Sequence, residues 1–329
     1  MRLVVVGTGA VGRRVARGLA TSPRARSVVL VSRSPERAAR TAARIGGRCE
    51  AAGDLTEALA TDPDAVVVAT PAGTQGRVVR EALMALVPAV TTADTPGEIR
   101  ELLALDAEAR ERGVPVAVGA AYSPGLTCLL AARAAEGFDE VTEIHVARHG
   151  AGGPACARAY HAALGSAGVG WRDGTFIRRT GGSGRELCWF PGPVGALDCY
   201  RAALGEPLVL HPAFREVTRI TARRAARRRD RFTARLPMLG PPPQEGGVGA
   251  VRVEVRGRRD GGTTAVVLGS FGRPSVAAAA VAAATALVVG SGGWLHRGAA
   301  GLATGAPVRA TLAEIAEAGV MVSIFDGVR

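Results

Sequence analysis

Residues 4–12 read Val-Val-Val-Gly-Thr-Gly-Ala-Val-Gly, an apolar run followed by three glycines in GxGxxG spacing. Val11, Val15 and Leu19 then recur every four residues while Arg13, Arg14 and Arg17 fall elsewhere, which puts an apolar stripe on one face of a helix. Strand, glycine turn and helix in this order commit the chain to an open parallel sheet with crossover helices. Gly7 permits the tight turn, Gly9 lets the backbone approach a pyrophosphate, and Gly12 lets the helix pack on the strand. The helix start adds amide donors and positive potential. A dinucleotide is therefore the expected ligand, held by Gly7, Thr8, Gly9, Ala10, Val11 and Gly12.

Chains that bind NAD place a carboxylate about twenty residues beyond the glycines, on the ribose 2′-hydroxyl. Here that position is Ser32, followed by Arg33, Ser34 and, further on, Arg37. Hydroxyl and guanidinium donors suit a 2′-phosphate, so NADP(H) is expected in preference to NAD(H). Strand candidates at Ser27–Ser32, Ala65–Thr70, Ala89–Thr92 and Val114–Val118 continue the sheet. The carboxyl ends of two of them bring Thr70, Pro71 and Ala72 to the nicotinamide ribose and Asp94 to ribose, substrate or the cap of the next helix. Pro96–Arg112 reads as an amphipathic helix ending at Gly113.

After Gly119 the texture changes. Glu140–Arg148 and Ala250–Arg256 alternate with period two, as in a sheet wet on one face, and Asp260-Gly261 and Asp173-Gly174 read as hairpin turns. Pro241-Pro242-Pro243 marks a stiff loop, and the alanine-rich Ser275–Val289 is apolar all round and belongs in a core or an interface. A last helix near Val308–Ala318 and a strand at Val320–Phe325 close the chain. The fold class is α/β: an N-terminal Rossmann doubly wound parallel sheet over residues 1–121, then an α+β domain with a mixed, largely antiparallel sheet over 122–290. Residues 291–329 are expected to pack back on the first domain. The alanine-rich helix and the outer face of the second sheet suggest a homodimer.

Composition narrows the chemistry. The 329 residues carry 41 Lys+Arg and a net charge of +12, yet every one of those cations is arginine. Schiff-base catalysis and a Walker phosphate loop both need a lysine and are excluded. Aromatics at 4% leave few stacking platforms, so no nucleic-acid partner is expected, and the run Arg223–Arg231 is read as a solvated strand or loop edge. Cysteines 49, 128, 156, 188 and 199 lack the spacing of a metal site, so no metal is expected and reduced thiols fit a cytoplasmic protein. The N-terminal apolar run is too short for a signal-peptide core, and no apolar stretch reaches the ~20 residues of a membrane span.

The candidate proton carrier is His149, at a strand end beside a glycine run, with an ordinary imidazole pKa suited to neutral pH. Pro154 stands at the first position of a helix, so the free amides around Gly152 and Gly153 offer a seat for a substrate carboxylate. Cys156 in its first turn reads as a small buried residue. Arg185 could clamp a second carboxylate, and Tyr122 could offer its phenol where the cleft opens, with Ser123, Pro124 and Gly125 lining the substrate beside it. Trp171, Trp189 and Tyr200 are read as core.

Gly7–Gly12, the turn Val68-Ala69-Thr70-Pro71-Ala72-Gly73, the edge Thr92-Ala93-Asp94 and above all Gly119-Ala120-Ala121-Tyr122-Ser123-Pro124-Gly125-Leu126 together resemble the saccharopine dehydrogenase or reductase type of Rossmann oxidoreductase, in a short form. The resemblance covers residues 1–135 well and the rest loosely. It implies NADP-dependent hydride transfer at a carbon–nitrogen bond of a small carboxylate-bearing metabolite. The sugar dehydrogenases that share this layout use a lysine after the fifth strand, where this chain has Thr92-Ala93-Asp94. Hydride transfer at a hydroxyl or carbonyl carbon, or a non-catalytic NADP(H) sensor, are the alternatives.

Overall fold

The computed structural model describes residues 1–238, 240, 242 and 244–325. Pro241 and Pro243 of the proline run lie outside the described residues. The first third alternates strand and helix, with two helices before its last strand: β1 (Arg2–Val6), α1 (Gly12–Thr21), β2 (Ser27–Val31), α2 (Pro35–Ile45), β3 (Cys49–Ala51), α3 (Leu55–Leu59), β4 (Ala65–Val68), α4 (Gln75–Met84), β5 (Ala89–Thr91), α5 (Pro96–Leu103), α6 (Asp106–Arg112) and β6 (Val116–Val118). The strands are Val-rich because helices cover both faces of the sheet, and Leu3, Val4, Val5, Val66, Val67 and Val90 are completely buried. The predicted helix Pro96–Arg112 is two helices, parted at Ala104–Leu105. The short edge strand β3 escapes sequence reading because two of its three residues are exposed and its apolar signal is faint.

The second region follows as α7 (Leu126–Ala135), β7 (Glu140–His149), α8 (Pro154–Gly165), β8 (Gly168–Arg172), β9 (Thr175–Arg179), β10 (Glu186–Phe190), β11 (Gly195–Arg201), α9 (Glu206–Leu210), β12 (Arg219–Ala225), α10 (Arg228–Thr233), β13 (Gly249–Arg259) and β14 (Gly262–Gly272). The chain ends in α11 (Pro274–Gly290), β15 (Ala299–Gly301), α12 (Leu302–Gly305), α13 (Val308–Glu317) and β16 (Val322–Phe325). The parallel sheet runs β15-β6-β5-β4-β1-β2-β3, a Rossmann order with one added edge strand. The second sheet runs β10-β11-β12-β7-β13-β14-β16, with β8 and β9 branching from β12; every pairing is antiparallel except β12 with β7.

The alanine-rich α11 packs on α1, α13, β4 and β5, on the face of the nucleotide sheet. Its small side chains let it lie close, and Val281, Ala282 and Ala286 are fully buried within the chain itself. The homodimer expected partly from this helix therefore loses that support, and the return to the first sheet starts at Pro274. The C-terminal segment divides: β15 extends the parallel sheet beside β6, whereas β16 pairs with β14 in the second sheet. No helix among the described residues is long and apolar enough to cross a membrane.

Candidate active site

The glycine loop is built as its spacing requires. Gly7 has φ +116°, and a Cβ there would sit 2.4 Å from the Ala69 carbonyl oxygen; one on Gly12 would sit 1.9 Å from that of Gly7. Nothing lies within 4 Å of where a Cβ on Gly9 would be, so the loop backbone is open at the position where a pyrophosphate would approach. Val11 caps α1 without a side-chain hydrogen bond, leaving the helix start to accept an anion. Ser32 receives a 3.3 Å hydrogen bond from the Thr8 hydroxyl, and Ser34 caps α2 by accepting from the Arg37 amide. Arg33, just after β2, and Arg37, in the first turn of α2, are exposed and make no ion pair among the described residues. These groups fit a dinucleotide.

The turn after β4 is braced by residues that sequence reading missed. Buried Glu98 accepts from the amides of Gly73 (2.8 Å) and Gln75 (2.9 Å). The Gln75 amide group donates to the Thr70 carbonyl, and its oxygen accepts from the Thr92 amide. Thr70, Pro71 and Ala72 are thus fixed between two strand ends.

Where the carboxyl edge meets the second sheet, polar groups converge. Asp94 follows β5, and burial pushes its pKa up to about 6, with Arg148 opposing and Glu206 adding to the rise. Cys156, in the first turn of α8, points its sulfur at Asp94 Oδ2 from 3.9 Å; burial and the Asp94 charge push its thiol up to about 12, so it stays protonated. Arg148 is 2% exposed, donates from Nη1 to the Ser123 carbonyl at 2.8 Å and lies 3.5 Å above the Tyr160 ring. Its Nε has no partner among the described residues, and neither does Glu206 Oε2, although the other Glu206 oxygen accepts from the Ser123 hydroxyl. Arg224 donates to the Tyr160 carbonyl and is held down to about 10 by burial and by Arg148. Buried polar atoms left unpaired beside groups with shifted pKa values make this cluster a candidate ligand site.

The predicted site residues divide. Gly152 and Gly153 open α8 against the glycine loop, since a Cβ on Gly153 would come within 2.9 Å of Ala10 Cβ. Ser123, Pro124 and Gly125 belong to the tight turn under Arg148, where a Cβ on Gly125 would strike the Ala121 backbone. Tyr122 is buried and donates its hydroxyl to the Ser270 carbonyl at 3.1 Å, and burial holds its pKa far up, so the phenol ties the turn before α7 to β14. His149 follows Arg148, and successive strand residues face opposite sides of a sheet, so it turns away from the Asp94 cluster. Burial and two arginines, Arg224 and Arg227, keep its imidazole below its ordinary pKa.

Arg185 lies at the exposed edge by β10, three strands from β7, paired with Asp198 at 2.9 Å and apart from the Asp94 cluster. The run Arg223–Arg231 is not a simple solvated edge, because Arg223 and Arg224 point into the protein from β12. Trp189 is 63% exposed on edge strand β10, against the expectation of core, whereas Tyr200 is buried. Arg148 had a signal: it continues the apolar phase of Ile144 and Val146, and a charge on a buried face has to be paired or functional. Glu206, on a helix distant in sequence, carried none.

Residues 1–120 match the model of the oxidoreductase family with an NAD-binding Rossmann fold. Over nearly the whole chain, the fold is similar to that of apo saccharopine dehydrogenase (L-Glu forming) from Saccharomyces cerevisiae. The TM-score is 0.67 at 15% identity, covering 98% of this chain and 99% of that one. A probable dehydrogenase from Thermotoga maritima gives 0.53 at 11%, covering 97% and 95%, and a candidate myo-inositol dehydrogenase from Sinorhizobium meliloti gives 0.51 at 14%, also 97% and 95%. No curated protein matches by sequence. The first third is the nucleotide-binding domain of an NAD(P)-dependent oxidoreductase, and the shared two-region fold extends to the rest.

Proposed function

We propose that the chain transfers hydride between NADP(H) and a small carboxylate-bearing metabolite, at a carbon–nitrogen bond, with Asp94 as the proton carrier. The observation that carries this reading is the meeting of Asp94, its pKa lifted to about 6, with buried Arg148 and the start of α8 at the carboxyl edge of the nucleotide sheet. When bound, the nicotinamide would supply or take up the hydride. The residues of the chain hold the rest. Gly7, Gly9 and Gly12 seat the pyrophosphate, while Ser32, Arg33, Ser34 and Arg37 receive the 2′-phosphate. The α8 amides near Gly153, with Arg148 behind them, receive the substrate carboxylate.

Asp94 then moves one proton. In the reductive direction its carboxyl gives a proton to the imine nitrogen as the carbon gains hydride; in the oxidative direction the carboxylate takes that proton back. A carboxyl titrating near 6 serves both at neutral pH, which an ordinary exposed aspartate would not. Hydride transfer at a hydroxyl-bearing carbon is the second reading, favoured by the fold likeness to the candidate myo-inositol dehydrogenase. In that case Asp94 carries the hydroxyl proton.

The test titrates NADPH and NADH into the protein by fluorescence, for the wild type and Arg33→Asp, and then measures turnover of oxo acids with and without amines. NADPH is expected to bind more tightly than NADH, and Arg33→Asp to weaken NADPH on the order of tenfold while sparing NADH. Turnover that needs the amine supports carbon–nitrogen chemistry. Turnover without one supports the second reading, and binding without any turnover overturns both.

A further inference from the structure

On the opposite face of the second sheet lies a cavity of about 60 Å³ lined by five arginines: Arg172, Arg179, Arg201, Arg219 and Arg223. Arg224 of β12 reaches Tyr160 beside the Asp94 cluster, so its neighbours Arg223, Thr221 and Arg219 alternate onto the far face, away from the nucleotide cleft. The cavity has a structural cause. β12 pairs with β8 at Arg219 and Ile220 and with β11 from Arg223 to Ala225, and where its neighbour changes, Thr221 and Ala222 have no partner on that side. Gly168 and Gly170 of β8 line this fork and let the strands approach closely there, since a Cβ on Gly168 would come within 2.9 Å of the Ala202 carbonyl oxygen and one on Gly170 within 3.3 Å of that of Ile220.

No acidic residue lines the cavity among the described residues. Its counter-charges stand at the margin: Glu186 lies 2.7 Å from Arg223, Glu143 only 3.9 Å from Arg219, and Asp173 pairs with Arg172 in the exposed turn. Arg201 has only the Ser183 hydroxyl at 3.4 Å, and Arg179 has no ion pair among the described residues. Burial and the neighbouring charges of Arg223, Arg179 and Arg219 lower the Arg201 pKa, the mark of a guanidinium cluster short of negative charge.

We propose that this cavity is a phosphate site, receiving a phosphate dianion or the terminal phosphate of a small phosphomonoester. Guanidinium groups converging from several strands match the tetrahedral oxygens, and the space admits one such group. Occupancy would tie the β8–β9 hairpin to β11 and β12 across the fork.

The test is calorimetric titration of the full chain with inorganic phosphate and, in parallel, with glycerol 3-phosphate, at matched ionic strength. Three variants accompany the wild type: Arg179→Gln/Arg201→Gln, which removes charge, Gly170→Val, which crowds the fork and keeps the charge, and Arg33→Asp, which alters only the nucleotide cleft. The expected result is one site, weakened about tenfold or more in the first two variants and unchanged in the third. Preference for the ester assigns a metabolite, and equal affinity assigns free phosphate. No uptake by the wild type, loss confined to Arg33→Asp, or undiminished binding by Arg179→Gln/Arg201→Gln overturns the proposal. Circular dichroism confirms that each variant is folded, and the arginine pair decides if Gly170→Val is not.

Discussion

Asp94 concentrates the conflict between stability and chemistry in one side chain. Its folded-state pKa, about 6, lies above that of an aspartate in an unfolded chain, so the folded protein holds this proton more tightly. The resulting penalty is absent below the unfolded pKa, grows as pH rises and is complete above about 6. Asp94→Asn is therefore expected to stabilise the protein by about 2 kcal/mol at pH 7 and by nothing near pH 3, read from urea melts at the two pH values. The same variant should lose turnover by on the order of a hundredfold while still binding NADPH. In the wild type, kcat/KM for amine oxidation should rise with pH through about 6. A flat profile would remove Asp94 from the proton path. The sequence brought Asp94 to the right edge but could not assign its role, because the rise in pKa comes from burial against residues more than fifty positions away.

At the scale of elements, the glycine turn separates two demands that one motif combines. Gly12→Ala forces a Cβ against the Gly7 carbonyl oxygen and should cost about 3 kcal/mol, whereas Gly9→Ala meets no atom within 4 Å and should leave the melting temperature nearly unchanged. NADPH affinity should nonetheless fall on the order of tenfold in Gly9→Ala, because the new methyl group occupies the approach to the backbone. Thermal melts and fluorescence titration of the two variants check the pair. Equal losses of stability would mean that the loop is packed rather than open. Both hairpins were legible for a local reason: Asp173-Gly174 and Asp260-Gly261 adopt the positive φ values that such two-residue turns require. α7 was not legible, since its residues are buried nearly all round and show no periodic polar face.

Across the whole molecule, the two regions are joined at the cofactor loop itself. Glu245, from the segment before β13, bridges Arg13 and Arg14 at the start of α1. That carboxylate neutralises two cations where a pyrophosphate would dock. Exposed pairs of this kind contribute little to stability. Glu245→Gln should therefore hardly move the melting temperature while raising dinucleotide affinity up to about fivefold, measured by fluorescence titration. Unchanged affinity would mean that the bridge stands clear of the phosphates.

The sequence by itself determined the parallel sheet, its glycine loop and the hydroxyl and arginine groups at Ser32–Arg37, because each follows from residues a few positions apart. Only the tertiary structure decided which polar groups share a pocket. It brought Arg148, Glu206 and Cys156 to Asp94, turned His149 to the other face of β7 and left Arg185 on an outer edge. Local periodicity states which face a residue occupies, but not what that face meets. The meeting is set by the packing of strands and helices far apart in the chain, and that packing also produced the arginine-lined cavity at the fork of β12.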